Sequence, residues 1–435
     1  MHRALSASLL AGLLSLSAIL GCASSASVRA AEAGRLDELR RALSDELRRG
    51  ALDPDDARAI ARAVAAGEIS RAAPPSGVDR LRELRTCARH LEDALDERAA
   101  GSDVIASAAA TILFEAGLTE AERVRRYVAE RRSAPSVALR ALEARALVAA
   151  EDGAARRARM LDGDQDVRVS ALRAAIAAAD PRDREALLEA ARLDPYPLAR
   201  TLAIRAAGAL GGDAVVLALR DLWSLSDEPG REAIAEAWAA PRAIGAGGRA
   251  QLLWAISTQR GAPAIAAARA LLRAGGAGAG EAVSFLLDAI RSSQSRDRVY
   301  AILSAPIEDP AVRAALTEAQ RDPEEAVAFA AHARYVEASP RIAARERAAA
   351  VAWMTRLASG TSTRAVRARG VLARADVRAA VPLLARDVRS HEAPVREAAG
   401  VGLVDLGEIP RAALLLADPD PRVRSSVACA ILGAS

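Results

Sequence analysis

The sequence has no lysine at all, and only 3% of its residues are aromatic. So few aromatic residues are too little for the core of an ordinary sheet-based protein, whereas the abundant alanine is the best helix former. All the positive charge comes from arginine, and arginines and acidic residues are interleaved to a formal net charge of only +4. Without a large basic field, nucleic-acid binding is not indicated.

Catalytic and metal-binding motifs are also missing. The histidines beyond the N-terminal segment are His90, His332 and His391, scattered without metal-ligand spacing, so we expect surface or turn positions. No GxSxG elbow occurs. The glycine-rich run 275–282 has no preceding strand and no GK[ST], so it predicts a turn. We therefore expect no enzyme activity, no metal, no cofactor and no small-molecule substrate.

Cysteine is scarce, with three in the chain. Cys87 and Cys429 lie near opposite ends, so in an extended architecture they would be far apart. In an oxidising compartment they could pair. We expect instead two small, buried, unpaired residues.

The N-terminus has the parts of an export signal. Arg3 precedes an apolar run to Leu20 that is too short and too rich in serine for a membrane-spanning helix. Its end, Ile19 to Cys22, resembles the lipobox of bacterial lipoproteins. The resemblance implies that residues 1–21 are removed and that Cys22 is lipidated, with Ala23 favouring the outer membrane if the cell has two membranes. An ordinary secretory signal with a coincidental cysteine is the alternative.

Between this signal and the body of the chain lie two further segments. Residues 22–34 are small and polar, which predicts a flexible tether. Residues 35–100 contain an amphipathic helix ending at Gly50, a second helix beginning at Asp53 and Pro54, and a third after the break at 72–77. This lead-in shows no repeat and could cap the first repeat of the region that begins at residue 101.

The body of the chain is periodic. Six residues after a turn Asp, Ser or Thr comes an arginine, and an apolar residue follows three positions later, as in Asp418, Arg424 and Val427. Some copies lack the arginine. The marked positions are Ile105, Ala138, Arg168, Arg200, Arg231, Ala266, Arg298, Ala328, Arg367, Arg396 and Arg424. A period of about thirty residues indicates a stacked array rather than one globular core.

Each unit is predicted to be two antiparallel helices. The turn residue would accept hydrogen bonds from free backbone amides before the second helix. Val423, Val427 and Ile431 form one apolar stripe on such a helix, and a single helix pair cannot bury this stripe alone. The expected fold is an all-α solenoid over residues 101–435.

At this point the sequence resembles the HEAT-repeat family, in particular the bacterial PBS-lyase HEAT-like repeats. D-x-x-V-R with a trailing apolar residue carries the resemblance, at Asp164–Ala171 and Asp420–Val427. The resemblance implies a ladder of Asp/Arg hydrogen bonds between repeats. Its members would be Asp162, Arg168, Asp194, Arg200, Arg298, Arg367, Arg396, Asp418 and Arg424. The departures at Ala266 and Ala328, and the long gap to Arg367, predict a distorted or longer first helix.

Two groups of residues remain as candidate binding surfaces. Trp223, Trp238 and Trp254 fall where the repeats are irregular; core packing is the favoured interpretation, and an interaction hot spot is the alternative. Arg125 and Arg126 belong to a basic cluster that fits a solvated helix face, or a site for an acidic partner or lipid head groups.

The sequence favours a non-enzymatic, lipid-anchored scaffold that binds a protein or peptide in the bacterial envelope, because solenoid curvature makes an extended binding surface. Two alternatives stay open. One is a cofactor-handling or lyase-like enzyme, by analogy with phycobilin lyases. The other is nucleic-acid binding.

Overall fold

The computed structural model describes residues 25–131, 136–338 and 344–434. The predicted signal peptide and Cys22 lie outside these residues. The fold is all-α, with no strand in any of the three ranges, and its helices pack consecutively as a solenoid-like helical repeat. This confirms the predicted fold class.

The chain opens with a set of helices that precedes the repeats. They are Ala26–Glu32, Leu36–Arg49, Pro54–Ser70, Gly77–Glu83, the 3-10 helix Leu84–His90, and Glu92–Ala99. Gly50 ends one of them in the left-handed conformation, and Asp53 caps the next by accepting from two backbone amides. The predicted third helix is broken at Cys87, whose backbone is not helical.

Part of the predicted flexible tether is helical. Helix Ala26–Glu32 buries Val28, and Ser27 donates a hydrogen bond of 2.6 Å to the buried Glu46 carboxylate. The expectation of a tether is therefore wrong for residues 25–34, because small residues at these positions fit closely against the next helix.

The repeats contribute two rows of helices. The second helices of the units, which we call inner helices, are Val104–Glu115, Val137–Arg145, Gln165–Ala178, Pro197–Leu210, Glu228–Trp238, Ala262–Ala274, Ser295–Ser304, Glu325–Glu337, Thr363–Arg374, Ala393–Asp405 and Pro421–Gly433. The outer helices are Ala121–Glu130, Gly153–Met160, Arg184–Leu193, Asp213–Leu225, Arg249–Thr258, Ala279–Ile290, Pro310–Ala319, Ala344–Ala358, Val381–Asp387 and Ile409–Ala412.

Short helical turns join some of these elements. They are Pro181–Asp183, Pro241–Ala243, Ile244–Gly248, Arg378–Ala380 and Ala413–Ala417. The outer helix after Ala328 has 15 residues, more than any other outer helix described. Neighbouring inner helices pack closely on one another, whereas neighbouring outer helices touch less, so the inner row forms the concave wall.

Small residues set the spacing of the inner row. Val423, Val427 and Ile431 are completely buried, as the predicted stripe requires. A Cβ atom at Gly208 would clash with Ala237 of the next inner helix, and one at Gly400 would clash with Val427. At Gly208 the backbone of Ala237 leaves no room for a side chain, and at Gly400 the side chains of Val427 and Leu415 fill the space.

The row of inner helices returns to its own beginning. The last inner helix, Pro421–Gly433, packs against the lead-in helix Pro54–Ser70. Pro54–Ser70 packs in turn against Glu92–Ala99, which packs against the first inner helix. The array is thus a closed ring rather than an open, extended solenoid. We call the contact between the lead-in and the last repeat the seam.

A disulfide crosses the seam. Cys87 and Cys429 are bonded, with their Cα atoms 5.0 Å apart. The expectation that they stay distant and unpaired is wrong, because it assumed an extended array. The lead-in also does more than cap the first repeat, since it joins the last repeat to it.

Candidate functional site

The predicted Asp/Arg ladder runs along the turns between outer and inner helices. Arg168 donates to both carboxylate oxygens of Asp194 in the next repeat, at 2.8 and 3.0 Å, and to the backbone carbonyl of Asp162 in its own turn. Arg396 makes the same contacts with Asp418, at 2.7 and 2.9 Å. Each arginine therefore ties its own turn to the next one, with the bidentate geometry that makes such pairs strong.

Other members of the ladder are less regular. Arg298 pairs with Asp322 at 2.9 Å, whereas Arg200 lies 3.6 Å from Asp227. Arg367 is exposed and forms no ion pair within the described residues, so its assignment to the ladder is wrong. The buried Arg369 takes its place by donating to the carboxylate of Asp387.

Each turn aspartate also orders its own turn. The side chains of Asp162, Asp194 and Asp418 accept from the backbone amides of Asp164, Tyr196 and Asp420, at 2.9 to 3.0 Å. Asp162 in addition lies 3.4 Å from Arg140 of the preceding repeat, which is two residues beyond the marked position Ala138. The ladder thus begins earlier than the sequence pattern indicates.

At the seam the ladder is completed by the lead-in. Arg424 donates to Glu68 at 2.6 and 2.9 Å and to the carbonyl of Asp418 in its own turn. Glu68 is 1% exposed and also pairs with Arg71 at 3.1 Å. A residue outside the repeats therefore supplies the acid that the next repeat would have supplied.

Two further contacts hold the seam. Arg40 and Arg58 of the lead-in donate to the backbone carbonyls of Ala417 and Ala434, at 2.8 and 3.3 Å. These arginines satisfy carbonyl groups at the end of the last repeat, where no further repeat follows within the described chain.

A cleft of about 900 Å³ opens at the seam. Burial raises the pKa of Glu83 in its wall, and Arg422 opposes this effect. Arg422 lies 3.8 Å from Glu83 and 3.2 Å from Glu397, so one arginine neutralises charge from both sides of the seam. Asp405 also lines the cleft, so three carboxyl groups face one arginine and Arg422 offsets only part of their negative charge.

The three tryptophans form a core cluster, as the favoured interpretation of the sequence predicts. Trp223 and Trp238 stack with ring centroids 5.2 Å apart, both are almost fully buried, and Trp254 packs edge-on against them. The Trp238 indole donates to the carbonyl of Val216, and Arg220 lies over the Trp254 ring. The alternative of an exposed tryptophan hot spot is wrong for Trp223 and Trp238, since the irregular repeats need large side chains to fill their core.

The two basic candidates separate. Arg125 pairs with Asp152 of the next outer helix at 3.0 Å. The buried Arg156 makes the equivalent pair with Asp183 at 2.6 Å. Arg125 is thus part of a second series of pairs between outer helices, while Arg126 is exposed. The structure does not bring these arginines together with the tryptophans as one surface.

The ladder lacks its arginine at two marked positions besides Ile105 and Ala138. At Ala328 the neighbouring turn of the helix carries His332, which is buried and stacks on Trp353 with ring centroids 4.1 Å apart. Burial lowers the pKa of His332 to about 4, and the nearby Arg356 acts in the same direction. The expectation of a surface or turn position is wrong for His332, because its ring fills the space between two helices.

At Ala266 the space is left open. A groove of about 1010 Å³ lies between the outer helices Arg249–Thr258 and Ala279–Ile290 and the turns that follow them. Its floor is apolar, with Ile256, Ile265 and Phe285, and its walls carry Glu281, Asp288, Asp297 and Arg260. We call this the turn groove.

A row of exposed leucines leads toward the turn groove along the same edge of the ring. Leu161, Leu193 and Leu225 are 74%, 72% and 79% exposed, and each ends an outer helix or directly follows one. They recur every 32 residues, once in each of three consecutive repeats. Because all outer-to-inner turns lie on one edge of such an array, the three side chains form a row on that edge.

Sequence reasoning missed both surfaces and the seam. The leucine row could have been found from its 32-residue spacing, since Leu161 and Leu193 each directly precede a ladder aspartate. The missing arginine at Ala266 was the sequence signal that indicated the turn groove. Glu68 gave no signal, because nothing in its local sequence distinguishes it from other helical glutamates.

Two searches of the described residues were negative. No helix in ranges 25–131, 136–338 and 344–434 is both long and apolar enough to cross a bilayer. The same ranges contain no group of three or more His, Cys, Asp or Glu side chains placed to hold a metal ion.

Comparison with known proteins adds little. No protein-family description matches the chain, and no curated protein is similar in sequence. Among solved structures, the crystal structure of an engineered protein is similar at 18% identity, covering 82% of this chain and all of that one. Its TM-score of 0.30 is too low to carry an argument about fold or function.

Proposed function

We propose that the protein is a non-enzymatic, lipid-anchored scaffold of HEAT-like repeats that binds a protein partner in the bacterial envelope. The row formed by Leu161, Leu193 and Leu225 carries the proposal. Large apolar side chains that are this exposed and recur with one spacing along an edge of the array mark a surface for a partner. The regular spacing also matches an extended partner that follows the repeats.

The disulfide supports the export part of the proposal. Cys87 and Cys429 are paired, and such bonds persist in oxidising compartments and are rare in the cytosol. Cys22 within the lipobox-like stretch would anchor the protein, since multiple acyl chains hold a protein stably at a membrane. Ala23 favours the outer membrane where the cell has two.

The test is crosslinking and affinity capture from envelope fractions with three proteins. The first is the wild type, the second carries Leu161→Ser, Leu193→Ser and Leu225→Ser, and the third is a control with Leu217→Ser and Leu303→Ser. The control leucines are 60% and 53% exposed but lie off this row. We expect a defined partner with wild type and control, and its loss with the row variant.

Equal capture by the row variant would contradict the proposed surface, and the absence of any specific partner with wild type would contradict the scaffold function. Anchoring is checked separately with Cys22→Ala by metabolic lipid labelling and membrane fractionation. Continued labelling of that variant would contradict the lipid anchor alone.

A further inference from the structure

The turn groove continues the edge that carries the leucine row. Leu225 precedes the turn of the third leucine-bearing repeat, and the groove is built from the turns of the next two repeats, including Gly261 and Ser292. An extended partner lying on the three leucines would therefore enter the groove next. The two surfaces differ in charge chemistry, since the groove walls carry carboxylates.

The groove occupies the position of a missing ladder contact. In a regular repeat an arginine at the marked position reaches the acid of the next turn, as Arg298 reaches Asp322. One repeat earlier the corresponding residues are Ala266 and Ser292, which cannot form an ion pair. The space that a guanidinium group and a carboxylate fill elsewhere is thus available for a ligand.

The walls of the groove have an uncompensated negative charge. Glu281, Asp288 and Asp297 form no ion pair with any residue in the described part of the chain, and Arg260 donates only to a backbone carbonyl. By contrast, Glu236 on the inner wall is surrounded by Arg205, Arg269 and Arg273 within 3.1 to 4.0 Å.

The floor of the groove is apolar. Ile265 is completely buried, Ile256 is 6% exposed, and Phe285 is half-buried beside them. A ligand therefore meets carboxylates at the walls and hydrocarbon below. This combination suits a side chain with a positive head and a neighbour with an apolar side chain.

We propose that the turn groove binds a basic peptide segment of the partner, with an arginine or lysine side chain placed where the ladder arginine is missing. The inference rests on the proposed function, because it describes a segment of the same protein partner. Apolar residues next to the basic one pack on Ile256, Ile265 and Phe285. Charge complementarity selects this occupant over an anionic membrane surface, which the three carboxylates would repel.

The test uses random 12-residue peptides displayed on phage and selected on the immobilised, disulfide-intact protein. We expect enrichment of Arg or Lys next to Leu, Ile or Phe. The most enriched peptide, labelled with fluorescein, is then titrated by fluorescence polarisation at several salt concentrations. Its affinity is expected to fall as salt rises, because exposed charges are screened.

Three variants locate the binding. Glu281→Gln/Asp288→Asn/Asp297→Asn removes the wall charges and is expected to weaken binding by about tenfold or more. Ser284→Arg places a positive charge on the exposed groove wall, one helical turn from Asp288, and competes for the same carboxylates. Ala266→Arg/Ser292→Asp rebuilds the missing ladder contact and is expected to abolish binding.

The matched control is Glu185→Gln/Asp213→Asn/Asp221→Asn, which removes three exposed carboxylates from outer helices away from the groove. It is expected to bind like wild type. Far-ultraviolet circular dichroism checks that all variants fold, and Ser284→Arg keeps the test valid if the buried Ala266→Arg does not fold.

Several outcomes overturn the inference. These are a selection without basic enrichment, equal binding by the wall-charge variant and wild type, or displacement of the peptide by spermine at equal charge concentration. The last would mean that the groove takes a small polycation. Capture of a partner through the leucine row together with any of these results leaves the proposed function standing and removes only this inference.

Discussion

The seam and the turn groove are two places where the repeat pattern is interrupted, and the ladder contact is completed at the first but not at the second. At the seam the last ladder arginine, Arg424, finds Glu68 of the lead-in and is buried with it. At the groove, Ala266 and Ser292 leave the contact unmade, and nothing in the described chain fills the space. One interruption is completed by the protein itself, and the other is open to solvent.

The difference shows what the ladder contact does. Where both charges are present, successive turns are tied together and the array has no free end at the seam. Where both are absent, the helices still pack through their apolar stripes, so the contact is not needed for stacking. An interruption in a repeat array can therefore be a closure or a binding site, and the residues around it decide which.

Opening the seam covalently is expected to give the largest effect. Cys87→Ser/Cys429→Ser removes a bond between residues 342 positions apart, and loss of such a crosslink should lower the free energy of unfolding by about 4 kcal/mol. Guanidinium titration of the wild type and variant measures the change. Wild type treated with a reductant should behave as the variant does.

The part of the chain in which hydrogen exchange increases distinguishes a closed ring from an open one. In the variant, hydrogen exchange should increase first in Pro54–Ser70 and Pro421–Gly433, because they become the ends of the array. Faster exchange that begins in the middle, near Arg249–Thr258, would contradict the role of the disulfide in closure.

Breaking the buried ion pair of the seam should have a smaller effect. Arg424→Leu leaves Glu68 with Arg71 as its ion-pair partner, and loss of one partner from a buried pair should cost about 3 kcal/mol of unfolding free energy. Arg396→Leu, within the array, is the matched comparison. Chemical denaturation monitored by circular dichroism measures both.

The two arginine variants should differ in where they loosen the structure. Arg424→Leu is expected to release the ends, whereas Arg396→Leu should affect only neighbouring repeats. Glu68→Gln/Arg424→Leu should recover part of the loss, because a buried Glu68 charge then no longer depends on the half-exposed Arg71 alone. If the double variant is less stable than the single one, the pair is not acting through its charges.

The repeat architecture could be predicted because the same short sequence pattern recurs in many units. Turn residues such as Asp194 and stripe residues such as Val427 occupy the same register in unit after unit, so the structure of one unit predicts that of its neighbours. The Asp/Arg ladder was implied by the resemblance, and Arg168 and Arg396 do pair with turn acids, Asp194 and Asp418. Arg367 was misplaced because a buried arginine two residues later fits its helix equally well in sequence.

The seam could not be predicted, because it depends on the accumulated curvature of all the repeats. No local pattern around Cys87 or Cys429 states that the ends of the array meet. Likewise, the sequence favoured core packing for the tryptophans but left an exposed hot spot open, and only the packing of the irregular helices places Trp223 and Trp238 in the core. Curvature and the filling of irregular cores are collective properties, which a single-sequence pattern does not contain.

The interruption at Ala328 is intermediate between the closed seam and the open turn groove. A substitution there should change the free energy of unfolding least. There the missing ladder arginine is replaced by the stack of His332 on Trp353. Burial lowers the pKa of His332 to about 4, below its ordinary value near 6.5, so the unfolded chain binds a proton more readily than the folded one. The contribution of neutral His332 to the free energy of unfolding is therefore complete above pH 6.5 and is lost as the pH falls toward 4.

We expect His332 to account for about 2 kcal/mol of this loss, measured by denaturation at a series of pH values. His332→Phe keeps an aromatic ring against Trp353 and cannot be protonated, so its unfolding free energy should fall less between pH 6.5 and 4. The exposed His391→Phe serves as the control for replacing a histidine by phenylalanine elsewhere in the array. An unchanged pH dependence in His332→Phe would show that the stack fills this interruption without a buried, titrating imidazole. The interruption at Ala328 would then be filled by uncharged aromatic packing, unlike the buried ion pair of the seam.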